Sequence, residues 1–360
     1  VAATDHDASA ELLRAVKQAR KEKRALCIRG GGSKDFLGRE LNGDVLGTVS
    51  HHGITAYDPA ELVVTVRAGT SVTALSAALA AHRQMLGFEP PEFGGRATVG
   101  GTVASGLSGP RRPYAGSARD FVLGLTCITG KAQLLRFGGQ VIKNVAGYDL
   151  SRLMAGAMGT LAVLCEVSFK VLPLPAAERG LAFSVTQDAA LQMLAGWARK
   201  PLPLSGAAYH DGLLRIRLSG ARSAVDAAAA AMGGDADGGD GDVAWWRQLR
   251  EFDLPFFTAG GAPLWRVSLP PAARPRLPGD SLVDWGGAQH WLRSEAPAAN
   301  IFNAAQNAGG HAVRFPLDEG ESGGVYLSPL PAALLRLHQK LKTAFDPDGV
   351  LNRGRLCAEF

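Results

Sequence analysis

The chain has little with which to build a metal centre, a disulfide framework or a membrane span. It carries four cysteines in 360 residues, Cys27, Cys127, Cys165 and Cys357, and no two form a C-x-x-C pair. That spacing excludes an iron–sulfur or zinc knuckle on this chain and predicts reduced, mostly buried thiols. No run of about 18 apolar residues occurs, so no spanning helix is expected. The stretch Arg20-Lys21-Glu22-Lys23-Arg24 reads as a solvated helix end rather than a nucleic-acid arm, and a formal charge of +5 is too small to imply nucleic acid as a partner. Neither G-x-G-x-x-G nor a Walker A pattern is present, which argues against a Rossmann or P-loop nucleotide site. The polar start, Thr4-Asp5-His6-Asp7, has no signal-peptide pattern, so the expected location is cytoplasmic.

Glycine, by contrast, is abundant, at 45 residues. The segment Glu92 to Arg112 holds six glycines, four Ser/Thr hydroxyls and three arginines, with almost no bulky apolar side chain. Such a segment does not fill a core. Glycine lets another object approach the backbone, and consecutive N–H groups then make a concave anion site to which hydroxyls add donors. A pyrophosphate is the simplest ligand for so long a cradle. A second cradle follows the short strand Ala25 to Ile28, at Arg29-Gly30-Gly31-Gly32-Ser33-Lys34.

The rest of the chain reads as α+β. A helix over Ala10 to about Lys23 is capped by Ser9, and strands are expected at 62–66, 121–129, 132–137 and 161–171. A loop at 143–150 contains Tyr148 and Asp149. Pro173-Leu174-Pro175 closes the first half, giving an expected division into 1–173, 174–329 and a returning C-terminal segment, 330–360. Further strands are expected at 176–185, 212–218, 265–269, 281–285 and 312–315, with a helix over 221–232. The acidic, glycine-rich tract 233–242 lacks EF-hand spacing and reads as a solvated loop. A last helix, 330–345, is expected to turn Leu334, Leu337, His338 and Leu341 inward.

Taken in order, Arg29 to Ser33, Gly94 to Gly106, Tyr114 to Gly124, Gly156 to Leu161 and Asp346 to Arg355 make the chain similar to the PCMH-type FAD-binding proteins of the vanillyl-alcohol oxidase kind. The resemblance implies a two-subdomain FAD-binding domain, a smaller α+β cap domain and a C-terminal return. It implies FAD held by Arg29, Gly30, Gly31, Gly32, Ser33, Gly94, Gly95, Thr98, Val99, Gly100, Gly101, Thr102, Ser105 and Gly106, with Ser117 and Asp120 also in the matching motifs. Gly159, Thr160 and Glu166 would lie along the adenine–ribityl side, and Asn352 would approach the flavin. Relatives often tether FAD through a His in the first loop or a Cys in the second. Neither residue is present there, so the FAD is expected to be non-covalent.

The second half, through Trp245 to Phe257, Pro263 to Val267, Asp284 to Leu292 and Gly309 to Arg314, resembles the FAD-binding subunits of glycolate oxidase. This implies a complex with a catalytic flavin subunit and an iron–sulfur subunit, oxidising a 2-hydroxy acid, and an inner-membrane association only through that complex. The H-x-H-x-G-D-G-N type motif of the 2-hydroxy-acid dehydrogenases is absent. Such chemistry needs a base, a cation and access to the flavin. Cations are available at Arg266, Arg314 and Arg355, and His311 and His290 are the candidate bases. The missing motif favours a chain that relays electrons over one that oxidises substrate itself; a stand-alone oxidase of a sugar lactone or other hydroxy acid is the alternative. The aromatic residues Trp245, Trp246, Phe256, Phe257, Trp265, Trp285 and Trp291 read either as a compact core or as an interface for partners.

Overall fold

A computed structural model describes residues 5–139, 149–236, 240–317 and 326–359. The greater part of the expected 143–150 loop, including Tyr148, and Asp237, Gly238 and Gly239 of the acidic tract, lie outside the described residues. The chain forms two compact units, one of residues 1–108, 116–174 and 329–360, the other of 109–115 and 175–328. The short stretch Gly109–Ala115 therefore belongs with the second unit, although the sequence reading kept it in the first.

The first unit is built on a five-stranded antiparallel sheet in the order Ile54–Asp58, Val63–Arg67, Ala162–Lys170, Val122–Thr129, Leu134–Gly138. The central strands read as near-continuous apolar runs because both their faces are covered; only Glu166 and Lys170 of Ala162–Lys170 reach the surface in part. The buried Thr65 and Ser168 hydroxyls satisfy each other across the ladder at 2.8 Å. Cys127 and Cys165 are free thiols in this core, their pKa values pushed up to about 12 chiefly by burial.

Leu26–Arg29 and Asp44–Gly47 pair in parallel beside this sheet. Helix Ser9–Glu22 joins the two by burying Leu12, Val16 and Ala19 against Leu26, Ile128, Val163, Val350 and Leu351. Full burial of each larger aliphatic side chain contributes roughly 1.5–3 kcal/mol. The cap differs from expectation. Ser9 is already helical, and Asp7 accepts its N–H at 2.9 Å.

The second unit is an eight-stranded antiparallel sheet in the order Asp235–Ala236, Ala177–Ser184, Leu213–Gly220, Leu204–His210, Asp280–Asp284, Gln289–Arg293, Leu264–Ser268, His311–Arg314. Helices Gln187–Trp197 and Arg222–Met232 cover one part of it, and Ala298–Asn307 packs on Trp265, Val267 and Leu292. Phe252, Phe256, Phe257, Trp291 and Phe315 form one buried cluster with ring centroids about 5 Å apart, mostly edge to face. Trp246, Trp265 and Trp285 are also buried, so these rings belong to the core, whereas Trp245 is half-buried.

Helix Ala332–Phe345 corrects another expectation. Leu334 and Leu337 are 46% and 51% exposed, while its buried residue is Lys342.

Candidate functional site

The two glycine stretches meet. Strand Leu26–Arg29 delivers the loop Gly30–Ser33 onto the segment Arg96–Thr98 so closely that a methyl on Gly31 would collide with the Arg96 carbonyl, and one on Gly30 with the Thr98 hydroxyl. Only glycine fits there. The second stretch turns at Gly94 and Gly95, whose φ of 63° and 82° belong to the left-handed region. The Glu92 carbonyl accepts from Gly95 and Ala97, and its carboxylate accepts from the Thr73 hydroxyl at 2.9 Å, tying the turn to helix Val72–Ala81.

The backbone donors of the second stretch are largely used within the fold. Val99 N–H donates to Thr70 O, Gly100 N–H to Ala68 O and Gly101 N–H to the Thr98 hydroxyl. The first loop is the reverse: the N–H groups of Gly30, Gly31, Gly32 and Ser33 donate to no acceptor among the described residues. Lys34, the last residue of the first cradle, adds a charge. Its Nζ donates to Ser33 Oγ at 3.2 Å, stands over the Phe93 ring at 5.1 Å and comes within 4.0 Å of the position of a Gly101 methyl. On Val99–Ser105 the buried Thr102 hydroxyl has no hydrogen-bond partner. Consecutive unclaimed N–H groups, an ammonium and an orphan hydroxyl fit a pyrophosphate-bearing cofactor.

Three further predicted residues join this frame through Asn352. Its Oδ1 accepts from Ile28 N–H at 2.7 Å and its Nδ2 donates to Met158 O at 2.7 Å. Gly159 would place a methyl 2.6 Å from the Asn352 amide, and Thr160 follows in the same turn. Asn352 is thus a bracket between the first loop and the Gly156–Thr160 turn. Gly106 and Ser105 lie at the end of the helix onto which that turn docks, with Gly156 N–H donating to Val103 O at 2.9 Å.

Behind the bracket is a knot that sequence reading missed. Lys342 is buried, and its three donors go to Thr160 O at 2.8 Å, Leu351 O at 2.7 Å and Asp346 Oδ2 at 2.6 Å. Asp346 also accepts from Val350 and Leu351 N–H. Burial lowers the Lys342 pKa and the Asp346 hydrogen bond opposes it. A lysine four residues before an aspartate resembles a solvated helix pair, which is why the pattern gave no signal.

Other predicted residues are occupied elsewhere. Arg29 pairs with Asp35 at 2.6 Å. Ser117 and Asp120 cap their own short helix, Ala118–Phe121, with both Ser117 donors on Asp120 Oδ2 at 2.8 Å. Glu166 lies 3.6 Å from Arg67, which also binds Asp5 and Asp7. Arg355 donates to the carbonyls of Asp35 and Arg39, bracing the first loop's exit instead of standing ready for a substrate carboxylate.

In the second unit, His290 is 1% exposed on the strand Gln289–Arg293, and burial pushes its pKa down to about 4. Neither ring nitrogen makes a hydrogen bond of good geometry, although the Gly287 backbone is close enough to favour the protonated ring slightly. This is a neutral core imidazole. His311 is exposed at the start of its strand, opposite Ser268, with a pKa lowered by partial desolvation and by Arg266. Arg314 stacks on Trp265 at 5.3 Å. Arg266 donates to Gln289 at 2.8 Å and lies 5.0 Å from the Trp285 ring, over which Arg112 sits at 4.2 Å.

The FAD binding domain family matches residues 6–138, the part that carries both glycine stretches. Over 354 residues the chain is 50% identical to glycolate oxidase subunit GlcE of Escherichia coli, covering 98% of each chain. It belongs to the GlcE family of glycolate oxidase subunits. The chain is an FAD-binding oxidoreductase subunit of α+β fold. Other relatives match a smaller part of this GlcE-family chain. D-lactate dehydrogenase of Archaeoglobus fulgidus is 30% identical over 55% of this chain and 44% of its own length. Glycolate oxidase subunit GlcD of Bacillus subtilis is 35% identical over 39% and 30%. A solved structure of alkyldihydroxyacetonephosphate synthase shares the fold, with a TM-score of 0.65 at 16% identity over 96% of this chain and 74% of the synthase. Among the described residues, no His/Cys/Asp/Glu group of this GlcE-family chain could hold a metal ion, and no helix is long and apolar enough to cross a membrane.

Proposed function

We propose that the chain is the FAD-binding subunit of a multi-subunit glycolate-oxidising enzyme, which converts glycolate or a similar 2-hydroxy acid to the 2-oxo acid. The observation that carries the reading is the row of unclaimed N–H groups at Gly30–Ser33, pressed against Arg96–Thr98 with the Lys34 ammonium beside it. Bound there, FAD supplies the two-electron acceptor chemistry. The chain's own residues hold it: the first loop and Lys34 meet the phosphates, Thr98 and Thr102 add hydroxyls, and Asn352 with Lys342 keeps the loop and the Gly156–Thr160 turn in register. No His or Cys stands on either glycine stretch to form a tether, so the cofactor is held non-covalently.

A relay or supporting role follows from the second unit. His290 is a buried core residue with a lowered pKa, and Arg314 is stacked on Trp265. The substrate chemistry then belongs to a catalytic flavin subunit, with an iron–sulfur subunit completing the complex and any inner-membrane attachment made through these partners. Anaerobic glycolate added to the purified, flavin-loaded chain is expected to leave its visible flavin bands unchanged, and acid precipitation is expected to release the flavin. Bleaching of the isolated chain would overturn the relay reading, and flavin that stays with the precipitate would overturn the non-covalent one.

A further inference from the structure

The last turns of helix Ser9–Glu22, the hairpin tip at Lys131–Ala132 and the turn at Asp348 surround a cleft of about 460 Å³. It is lined by Lys17, Arg20, Lys21, Lys131, Ala132 and Asp348, four cations against one carboxylate. Arg20 answers that carboxylate, with Nε 2.6 Å from Asp348 Oδ2, and its guanidinium also donates to Lys131 O at 3.3 Å. Lys17, Lys21 and Lys131 make no side-chain hydrogen bond or ion pair with any described residue.

The walls that aim these charges are held in place. The helix is anchored by Leu12, Val16 and Ala19 in the core. The hairpin tip seats on the Lys342–Asp346 knot, because a methyl on Gly130 would collide with the Asp346 carboxylate. Lysines scattered over a convex surface are simply solvated. Three lining one recess between fixed walls raise its positive potential and attract a complementary group. None of the exposed large apolar residues, Val45, Val49, Leu134, Leu174, Val243, Leu334 and Leu337, lines the cleft, so it lacks the apolar wedge of a membrane-inserting surface.

We propose that this cleft docks an acidic segment, an Asp/Glu-bearing loop or terminus, of another protein subunit. The proposal rests on the reading that the chain works in a complex. Lysine ammoniums are point charges suited to carboxylates on a flexible strand, and such rim charges set association rate and salt dependence more than ultimate affinity.

The test uses the flavin-loaded full chain and a fluorescein-labelled hexaglutamate peptide, read by anisotropy. Binding is expected to weaken roughly tenfold or more in Lys17→Ala/Lys21→Ala/Lys131→Ala, and to weaken with added salt. The surface control Arg199→Ala/Lys200→Ala/Arg222→Ala is expected to bind as the parent does. Equal binding by parent and cleft variant, or equal loss in the control, would overturn the proposal. So would phosphatidylglycerol vesicles that depend on the three lysines when the peptide does not. In co-expression with the catalytic flavin and iron–sulfur subunits, Lys17→Glu/Lys21→Glu/Lys131→Glu is expected to lose co-purification while keeping its flavin. Co-purification that persists would sink the docking proposal and leave the complex standing. A parent chain that co-purifies with neither subunit would instead remove the complex itself.

Discussion

At Gly31 the question of cofactor retention comes down to a single methyl group. The Arg96 carbonyl leaves no room for a Cβ, and that carbonyl belongs to backbone, which cannot swing aside as a side chain would. Gly31→Ala is expected to separate the two glycine stretches and cut flavin content at least tenfold after gel filtration, with the circular dichroism spectrum little changed. Retention of parental flavin would show that the N–H row is not the phosphate cradle. His290 makes a prediction of a different kind. Burial holds its folded pKa at about 4, below the ordinary imidazole value of 6.5, so its contribution to stability is present above about pH 6.5 and is lost as pH falls toward 4. Up to roughly 3 kcal/mol depends on this one ring. Urea midpoints measured across that range are expected to fall for the parent and to flatten for His290→Met; parallel curves would mean that the ring does not titrate alone.

Among the elements, the C-terminal segment shows what pattern can and cannot convey. Asp346 to Arg355 was expected to return toward the cofactor only because it resembles the C-terminal segment of the PCMH-type FAD-binding proteins. The helix itself was misread. Its leucines fall at helical spacing and so predict a buried face, yet the residue that packs inward is Lys342, since only an ammonium can serve Thr160 O, Leu351 O and Asp346 at once. Replacing it with Met leaves a buried carboxylate without its counter-charge. Lys342→Met is expected to cost about 3–5 kcal/mol in the first unit, seen as a lower Tm and earlier flavin release. An unchanged Tm would mean that water or Arg353 replaces the lysine. The glycine loops were readable for the opposite reason: their composition, taken together with the motifs that follow, points to backbone that must stay bare. Strands Leu204–His210 and Gln289–Arg293 were not foreseen, because Pro201, Pro203 and the adjacent Gly286-Gly287 punctuate the chain as loops do.

Across the whole molecule, the boundary after Leu174 and the return at Pro329 leave the first unit assembled from three separated stretches. The second unit is nearly continuous, interrupted only by its loan of Gly109–Ala115. There Trp285 Nε1 donates to Gly109 O at 3.1 Å and Arg111 pairs with Glu178 at 2.6 Å. This arrangement sets an order of events during synthesis. Leu26 lies beside Leu351, and Ile28 waits for the amide of Asn352. The early strand that presents the first glycine loop is therefore left without its far neighbour while some three hundred residues are translated. The second unit can close on the ribosome, whereas the flavin unit closes only after residues 342–352 have emerged, so cofactor capture is a late step in the life of each new chain.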